Sequence, residues 1–360
     1  MKLVLEDGTE LTGTSCAAQE SVAGEVVFNT AMTGYVETLT DPSYRGQILV
    51  LTYPLVGNYG VPAPRPDGSL ERPFESSRIQ VQGLVVQTYV DHHSHLASER
   101  SLAQWLASEN VPLLSGIDTR HLTQKLREKG TMRGWLLTGN VEEGKRKARE
   151  IDMRDEVFRS VAPEKTVVYN EGGTPRILLV DAGCKDNICR SLLERGACVV
   201  RAPYHADIVG LAKDCDGVLL GNGPGDPKNL GELIGKVKVL VDSYDKPLFG
   251  VCLGNQILAL AAGGNTAKMR YGHRSVNQPV QDLLTRHSYI TSQNHGYAVQ
   301  SESLPDGWEP WFVNLNDGTN EGIRCRHKPF NSVQFHPEAS PGPRDTGFLF
   351  DEFLRQVGRR

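Results

Sequence analysis

From Arg176 onward, short apolar runs alternate with polar, helix-forming segments, and this alternation restricts the fold more than any other feature of the sequence. The apolar runs are rich in Val, Leu and Ile, which is typical of strands buried on both faces. They occupy residues 177–180, 197–201, 217–220 and 247–251, and a helix is predicted at 187–194. The pattern predicts an α/β domain over residues 176–360 with a mostly parallel, doubly wound sheet. In such sheets, binding sites collect at the carboxyl ends of the strands.

Residues 1–150 have a different organisation. β-prone runs at 2–6, 25–30, 47–53 and 79–90 are separated by Gly, Asp and Pro, and helical patterns follow at 97–110 and 118–128. Strands first and helices later predict a smaller α+β domain. The polar stretch 151–175 ends in the breaker Gly-Gly-Thr-Pro and is predicted to be a linker.

Composition excludes several classes of protein. The charged fraction of 23% and the hydrophobic fraction of 39% are ordinary for a globular protein, and the net charge of −4 does not favour a nucleic-acid partner. No apolar run reaches the roughly 18 residues of a membrane helix, and the acidic N-terminal sequence has no secretory apolar region. We therefore expect a cytoplasmic protein that binds neither nucleic acid nor membrane, with its seven cysteines reduced.

One cysteine lies in a motif that suggests chemistry. An apolar strand runs into Gly250-Val-Cys-Leu-Gly254, and a helical pattern starts directly afterwards. Small residues on both sides of a nucleophile are what a sharp strand-to-helix turn requires. The turn would place Cys252 where the helix dipole favours a thiolate, and would direct the N–H of Leu253 toward an oxyanion. A buried structural cysteine is the alternative that this motif alone leaves open, and it is the expected role of the other six cysteines.

Two further segments could complete such a site. His336-Pro-Glu338 follows a predicted strand, where residues two apart face the same way, so that Glu338 could orient His336 as the base for the cysteine. The loop Gly221-Asn-Gly-Pro-Gly-Asp-Pro227 could supply the N–H of Gly223 as a second oxyanion donor. Each segment alone is equally compatible with an ordinary strand end or a tight turn.

Together, these three segments resemble the triad-type (class I) glutamine amidotransferases. The first half of the chain points to one family within this class. The N-terminal domain of the carbamoyl-phosphate synthase small subunit family is similar to it at residues 24–35, 40–44, 52–54, 57–60 and 116–120. The resemblance covers nearly the whole chain. It implies a glutaminase subunit that hydrolyses L-glutamine through a cysteine thioester and passes ammonia to a large, ATP-dependent synthetase subunit making carbamoyl phosphate, for arginine or pyrimidine biosynthesis.

The resemblance also assigns roles to residues. It makes Cys252, His336 and Glu338 catalytic, and Leu253 and Gly223 the oxyanion donors. The glutamine-binding residues that it implies are Ser43, Gly223, Gly225, Leu253, Gln256, Asn294, Gly296 and Tyr297. ATP, Mg²⁺ and bicarbonate would bind the partner subunit, so neither a cofactor nor a metal is expected in this chain.

Asn255 departs from the family pattern, since many members have histidine there. Asparagine cannot titrate, so we expect altered tuning of the site and retained activity. Two other functions stay open: a catalytically silent regulatory subunit, and a stand-alone cysteine hydrolase of γ-glutamyl amides. The histidine-rich segment 91–95 is expected to be a solvated loop, because no further ligand cluster lies near it in the sequence.

Overall fold

The computed structural model describes residues 1–66 and 68–358. The chain divides into two compact units, Met1–Met153 and Arg154–Arg360. Among the helices of the described residues, none combines the length and the apolar character that crossing a bilayer requires. The α/β fold class predicted from the alternating pattern is confirmed by the parallel sheet of the second unit.

The first unit contains a mixed sheet. Its strands are β1 (Lys2–Leu5), β2 (Glu10–Thr12), β3 (Thr14–Ser15), β4 (Val22–Asn29), β5 (Gln47–Leu51), β6 (Leu55–Val56), β7 (Gly83–Val85), β8 (Thr88–Tyr89), β9 (Leu113–Ser115) and β10 (Met132–Leu137). Its helices are α1 (Tyr35–Thr40), α2 (Leu102–Ser108), α3 (Thr119–Lys129) and α4 (Val141–Lys147), with a 3₁₀ helix at Pro42–Tyr44. Eight strands form one sheet in the order β2-β1-β10-β4-β5-β7-β9-β3, in which β4, β5, β7 and β9 are parallel. The β-prone run 79–90 contains two strands, β7 in this sheet and β8 in a small second sheet with β6.

Helix α2 shows how the sequence determines a local element. Ser101 caps its N-terminus, because the Ser101 hydroxyl accepts a hydrogen bond from the Gln104 N–H (3.2 Å) while the Gln104 side chain accepts one from the Ser101 N–H (2.9 Å). Leu102, Trp105 and Leu106 recur at helical spacing and are buried in the core of this unit. The helix is therefore held by its cap and by its apolar face.

The second unit contains a larger sheet. Its strands are β11 (Val167–Tyr169), β12 (Arg176–Asp181), β13 (Cys198–Pro203), β14 (Gly217–Leu220), β15 (Leu248–Val251), β16 (Thr266–Asp282), β17 (Ser288–Val299), β18 (Trp308–Asn314), β19 (Asn320–Cys325) and β20 (Phe330–Val333). Its helices are α5 (Glu156–Arg159), α6 (Asp186–Leu193), α7 (Ile208–Lys213), α8 (Gly231–Ser243), α9 (Leu253–Ala262) and α10 (Phe348–Val357), with 3₁₀ helices at Pro227–Asn229 and Ser301–Ser303. The strand order is β11-β13-β12-β14-β15-β20-β19-β18-β16-β17.

The parallel part of this sheet positions the predicted site. Strands β13, β12, β14, β15 and β20 are parallel neighbours, and β12, β14 and β15 are almost entirely buried. Since β14, β15 and β20 are adjacent, the segments that follow them emerge side by side at one edge of the sheet. Those segments carry Gly223, Cys252 and His336. The antiparallel strands β16 to β19 extend the sheet beyond β20 and were not predicted.

The segment 151–175, predicted to be a linker, contains two short elements of the second unit, α5 and β11. The boundary between the units falls between Met153 and Arg154, so that most of this segment belongs to the second unit. Helix α5 buries Val157 and Phe158, and β11 pairs antiparallel with β13. Its polar composition is misleading because α5 is only four residues long and β11 is an edge strand with an exposed face.

Candidate active site

Cys252 lies in the sharp turn between β15 and α9. Its φ of 56° and ψ of −104° are unusual for a residue with a side chain, so the backbone is strained at the candidate nucleophile. A Cβ on Gly254 would lie 2.1 Å from the Leu220 carbonyl oxygen, and one on Gly250 would lie 2.8 Å from the Gly254 carbonyl carbon. The turn therefore excludes side chains at both glycines, which confirms the reason given for them from the sequence.

The two residues predicted to donate to an oxyanion, Leu253 and Gly223, are close together beside this turn. Leu253 is the first residue of α9, where a backbone N–H has no partner inside the helix. A Cβ on Gly223 would lie 2.7 Å from both the Ala182 carbonyl oxygen and the Leu253 Cδ2 atom, so the loop after β14 touches the start of α9. The buried Cys252 thiol is 3.7 Å from the Asn294 carbonyl oxygen, to which it donates a weak hydrogen bond.

His336 and Glu338 form a buried pair, but their geometry differs from the predicted one. The Nδ1 atom of His336 is 2.6 Å from Oε1 of Glu338. Strand β20 ends at Val333, and His336 continues in a separate bridge to β17 through its N–H and the Ser292 carbonyl oxygen (2.9 Å). A turn then closes with the Ala339 N–H donating to the His336 carbonyl (3.0 Å). The turn, and not an extended strand, brings the two side chains together.

Lys185 extends this pair and was missed by sequence reasoning. Its Nζ atom is 3.2 Å from Oε1 of Glu338 and also donates to the Ala339 carbonyl oxygen, and the side chain is buried. Its backbone N–H donates to Oδ1 of Asn222 (2.8 Å), which ties it to the loop after β14. The available signal was its position just after β12, because polar residues at the carboxyl end of a parallel strand are site candidates.

The charges of Lys185, Glu338 and His336 shift the pKa values of Glu338 and His336. Burial alone would raise the pKa of Glu338, but the nearby cations Lys185 and His336 outweigh it and lower the pKa to about 2. Burial alone would lower the pKa of His336, but the Glu338 carboxylate and the Cys252 sulfur outweigh it and raise the pKa to about 10. The raised pKa favours the imidazolium form of His336 near neutral pH, and the same imidazole interacts with the Cys252 sulfur.

Asn255, predicted to depart from the family pattern, lies in α9 directly after the turn. It accepts a hydrogen bond from the Ser332 hydroxyl (2.8 Å) and donates to Oε1 of Gln334 (3.2 Å). The Gln256 amide donates to the same Gln334 oxygen (3.1 Å) and to the Tyr297 carbonyl oxygen (2.9 Å). Asn255 thus links α9 to β20 and the segment after it, whereas Gln256 fixes the backbone of the segment that follows Asn294.

The remaining predicted residues divide between the two units. Gly225 has a φ of 79°, and a Cβ there would lie 3.0 Å from the ring of Phe158. Gly296 and Tyr297 are half-buried on β17. Ser43 lies in the first unit, in the 3₁₀ helix Pro42–Tyr44, where its N–H donates to Oδ1 of Asp41 (2.9 Å). Its contribution to glutamine binding stays a prediction.

Four of the other six cysteines have surroundings that disfavour thiolates. All seven cysteines are unpaired. Burial raises the pKa of Cys184 well above its usual value and that of Cys189 to about 12. Burial also raises the pKa of Cys215 and of the partly buried Cys16.

Comparison with known proteins places both halves of the chain. Residues 178–356 match the family described as glutamine amidotransferase class-I, so the second unit belongs to that class of protein. Residues 3–136 match the family described as carbamoyl-phosphate synthase small chain, CPSase domain. The chain belongs to the carbamoyl-phosphate synthase small-chain family.

Individual relatives cover almost all of the chain. The carbamoyl phosphate synthase arginine-specific small chain of Chaetomium globosum is 44% identical over 99% of this chain and 78% of its own length. The protein of the same name from Neurospora crassa is 44% identical over 98% of this chain and 79% of its own. Multifunctional protein pyr1-3 of Dictyostelium discoideum is 46% identical over 99% of this chain, which spans only 17% of that relative's length.

Proposed function

We propose that this chain is the glutamine-hydrolysing subunit of a carbamoyl-phosphate synthase. The observation that carries the proposal is the buried line Lys185–Glu338–His336 beside the strained Cys252. A cysteine next to an imidazolium that is itself held by a carboxylate has the arrangement of an activated nucleophile. Family membership supports glutamine as the substrate.

The first half of the reaction forms a thioester. The Cys252 thiolate adds to the side-chain amide carbon of glutamine, and the resulting oxyanion accepts hydrogen bonds from the N–H groups of Leu253 and Gly223. His336 donates its Nε2 proton to the nitrogen as the carbon–nitrogen bond breaks, so that ammonia leaves. Glu338 holds the imidazole by Nδ1 throughout.

The second half releases glutamate. His336, now neutral, takes a proton from a water molecule that adds to the γ-glutamyl thioester carbonyl. The same N–H groups stabilise the second oxyanion, and the carbon–sulfur bond breaks to return the Cys252 thiolate and the His336 imidazolium. Glutamine and water are thereby converted to glutamate and ammonia.

The ammonia has to reach a partner. Free ammonia would be protonated in water, so we propose that it passes through a protected route to a large synthetase subunit, where ATP, Mg²⁺ and bicarbonate would bind. The name arginine-specific small chain, carried by two relatives, supports arginine biosynthesis as one use of the product, with pyrimidine biosynthesis as the other. The seven unpaired thiols support a reducing, cytoplasmic location.

Replacing the nucleophile tests this function. With the large subunit present, Cys252→Ser is expected to lower glutamine-dependent carbamoyl phosphate synthesis by about a thousandfold or more. Synthesis from added ammonia should be unchanged, which also shows that the variant still assembles. Cys325→Ser, at a half-buried cysteine outside the turn, is the matched control and should retain both activities. If glutamine-dependent synthesis survives in Cys252→Ser, the assignment of the nucleophile is wrong.

A trapping experiment separates this function from the alternatives. Rapid acid quench of the wild-type chain with glutamine should reveal a γ-glutamyl adduct on Cys252 by mass spectrometry. A silent regulatory subunit would form no adduct. A stand-alone hydrolase would turn over γ-glutamyl peptides faster than glutamine.

A further inference from the structure

A second group of buried polar side chains lies on the antiparallel strands of the second unit. His273 on β16 is directly opposite His295 on β17, and Glu321 comes from β19. His273 and His295 are each 5% exposed and Glu321 is 0% exposed. One imidazole nitrogen from each histidine and one carboxylate oxygen lie within 4.8 Å of one another. We call these three residues, with Gln293 between them, the β17 cluster.

Each histidine has one ring nitrogen that points away from the cluster, which we call the outer nitrogen, and one inner nitrogen that points into it. Each outer nitrogen already has a hydrogen-bond acceptor. Nε2 of His273 is 2.9 Å from Oδ2 of Asp317, and Nδ1 of His295 is 2.9 Å from the Tyr297 carbonyl oxygen. Both partners only accept, so both outer nitrogens carry hydrogen. When an imidazole is in its neutral form, its inner nitrogen therefore carries the lone pair that can bind a metal. Histidines that bind metals are held from outside in this way, by a carboxylate or a backbone carbonyl.

Both inner nitrogens face another acceptor. Nδ1 of His273 is 2.8 Å from Oε1 of Gln293, and Nε2 of His295 is 3.0 Å from the same oxygen. The Gln293 amide cannot be turned over without loss, because its Nε2 donates to the Thr291 hydroxyl (3.2 Å). The only hydrogen of that hydroxyl is donated to the Gln278 carbonyl (2.9 Å). The inner nitrogens of His273 and His295 and the Oε1 atom of Gln293 therefore face one another.

Glu321 adds negative charge to this group of atoms. Its Oε1 is 3.2 Å from Nδ1 of His273 and accepts a hydrogen bond from the Asn314 amide (3.0 Å). Its Oε2 is buried and makes no hydrogen bond within the described residues. The Asn314 amide also makes a long hydrogen bond of 3.4 Å to Nδ1 of His273.

Protons alone do not resolve these contacts well. Without a metal, either both imidazoles are protonated, which places two buried cations with ring centroids 5.0 Å apart, or the Gln293 amide turns over and loses its hydrogen bond to Thr291. A single divalent cation instead satisfies every converging lone pair and balances the carboxylates of Glu321 and Asp317.

We propose that the β17 cluster binds one zinc-class divalent cation through His273 Nδ1, His295 Nε2, the Glu321 carboxylate and Gln293 Oε1. Two imidazoles, a carboxylate and an amide oxygen form a nitrogen and oxygen donor set that suits zinc. Protein groups fill all four positions and bury them, so the site is structural and leaves no position for a substrate. It stabilises the packing of β19 against the β16–β17 hairpin.

Metal binding to the full chain, purified without a histidine tag, tests this site. We expect one Zn²⁺ per chain by mass spectrometry of the metals, and competition with a chromophoric chelator measures its affinity. Co²⁺ in its place should give the intense visible bands of tetrahedral coordination. Saturating Zn²⁺ should raise the thermal unfolding midpoint of the chelator-treated protein.

A variant at the half-exposed outer carboxylate, Asp317, avoids the risk of misfolding that a buried substitution carries. Asp317→Asn should weaken Zn²⁺ binding by about 10- to 100-fold, as expected for loss of the group that orients a histidine ligand. Asp306→Asn removes an exposed carboxylate on the same unit and is the matched control, with unchanged affinity. Glu321→Gln should abolish the rise in unfolding midpoint with Zn²⁺.

The proposal is overturned if the wild-type chain binds far less than one equivalent of Zn²⁺ or Co²⁺. It is also overturned if Asp317→Asn and Glu321→Gln bind Zn²⁺ as tightly as Asp306→Asn does. None of these measurements uses glutamine hydrolysis, so a negative result does not affect the proposed function.

Discussion

At the scale of single residues, the line Lys185–Glu338–His336 joins three buried ionisable groups. Lys185 is the residue that leaves Glu338 with a cation even when His336 is neutral. Removing one partner of a buried pair leaves an uncompensated charge. Lys185→Met is therefore expected to lower the free energy of unfolding by about 3–5 kcal/mol.

The matched control is Lys238→Met. Lys238 pairs with Asp242 at 3.7 Å on the exposed face of α8, and such surface pairs contribute about 0–1 kcal/mol. Urea unfolding at neutral pH measures both variants. Equal losses of stability would contradict a special role for the buried lysine.

The shifted pKa values predict how stability depends on pH. The pKa of His336 is raised from 6.5 to about 10, so its contribution is complete below pH 6.5 and is lost as pH rises toward 10. The pKa of Glu338 is lowered from 4.5 to about 2, so its contribution is complete above pH 4.5 and is lost as pH falls toward 2. Stability should be greatest between these limits.

Glu338→Gln should weaken the pH dependence of stability on both the acid side and the alkaline side. It removes the carboxyl group that titrates on the acid side, and it removes the charge that raises the pKa of His336 on the alkaline side. Urea midpoints across the pH range measure the effect, with the exposed Glu302→Gln as control. A pH dependence that stays as steep in Glu338→Gln as in the control would contradict the coupling.

At the scale of elements, the turn from β15 to α9 depends on backbone contact. Gly254→Ala would place a methyl group 2.1 Å from the Leu220 carbonyl oxygen, and both groups belong to rigid elements. We expect a loss of unfolding free energy of several kcal/mol, roughly the size of an overpacked core, together with loss of glutamine hydrolysis.

Gly235→Ala is the control that separates the steric clash at Gly254 from the general effect of replacing a helix glycine by alanine. Gly235 is exposed on α8, and a Cβ there meets nothing within 4 Å. Alanine is the better helix former, so stability should rise by about 0.5–1 kcal/mol. Thermal unfolding measures both variants. A Gly254→Ala protein as stable as wild type would show that the turn is wider than described.

Helix α5 is an element whose importance the sequence conceals. Phe158 is buried against Tyr204, with ring centroids 6.3 Å apart, and lies under Gly225 of the loop after β14. Phe158→Ala should cost about 3–5 kcal/mol of unfolding free energy. Val168→Ala, on the exposed face of β11, should cost about 0.5 kcal/mol or less. Similar costs for both would support the original prediction of a linker.

At the scale of the whole chain, the sequence predicts those parts whose pattern reflects burial. Strands β12, β14 and β15 are buried on both faces, so they read as unbroken apolar runs. The strands of the antiparallel extension carry polar residues inward, including His273 and Glu321, and β16 contains two register shifts, so no simple alternation marks them.

In the candidate site, too, the sequence predicts features that a local pattern marks and misses those that depend on distant segments. Cys252 and its glycines are predictable because the turn imposes a local steric demand. The pairing of His336 with Glu338 was predicted although the turn that creates it was not. Lys185 was missed because its role depends on two chain segments that are far apart in sequence, and a charged residue after a strand has no distinctive local pattern.

The seven thiols give the last prediction for the native chain as a whole. Cys16 and Cys325 are half-buried, whereas Cys184 and Cys189 are buried and burial raises the pKa of both thiols. Thiolates react with iodoacetamide, so brief treatment of native protein at pH 8 should label Cys325 and leave Cys184 and Cys189 unlabelled. Peptide mass spectrometry measures each site, and unfolding in urea should make all seven reactive. Labelling of native Cys184 as fast as Cys325 would contradict the burial of Cys184.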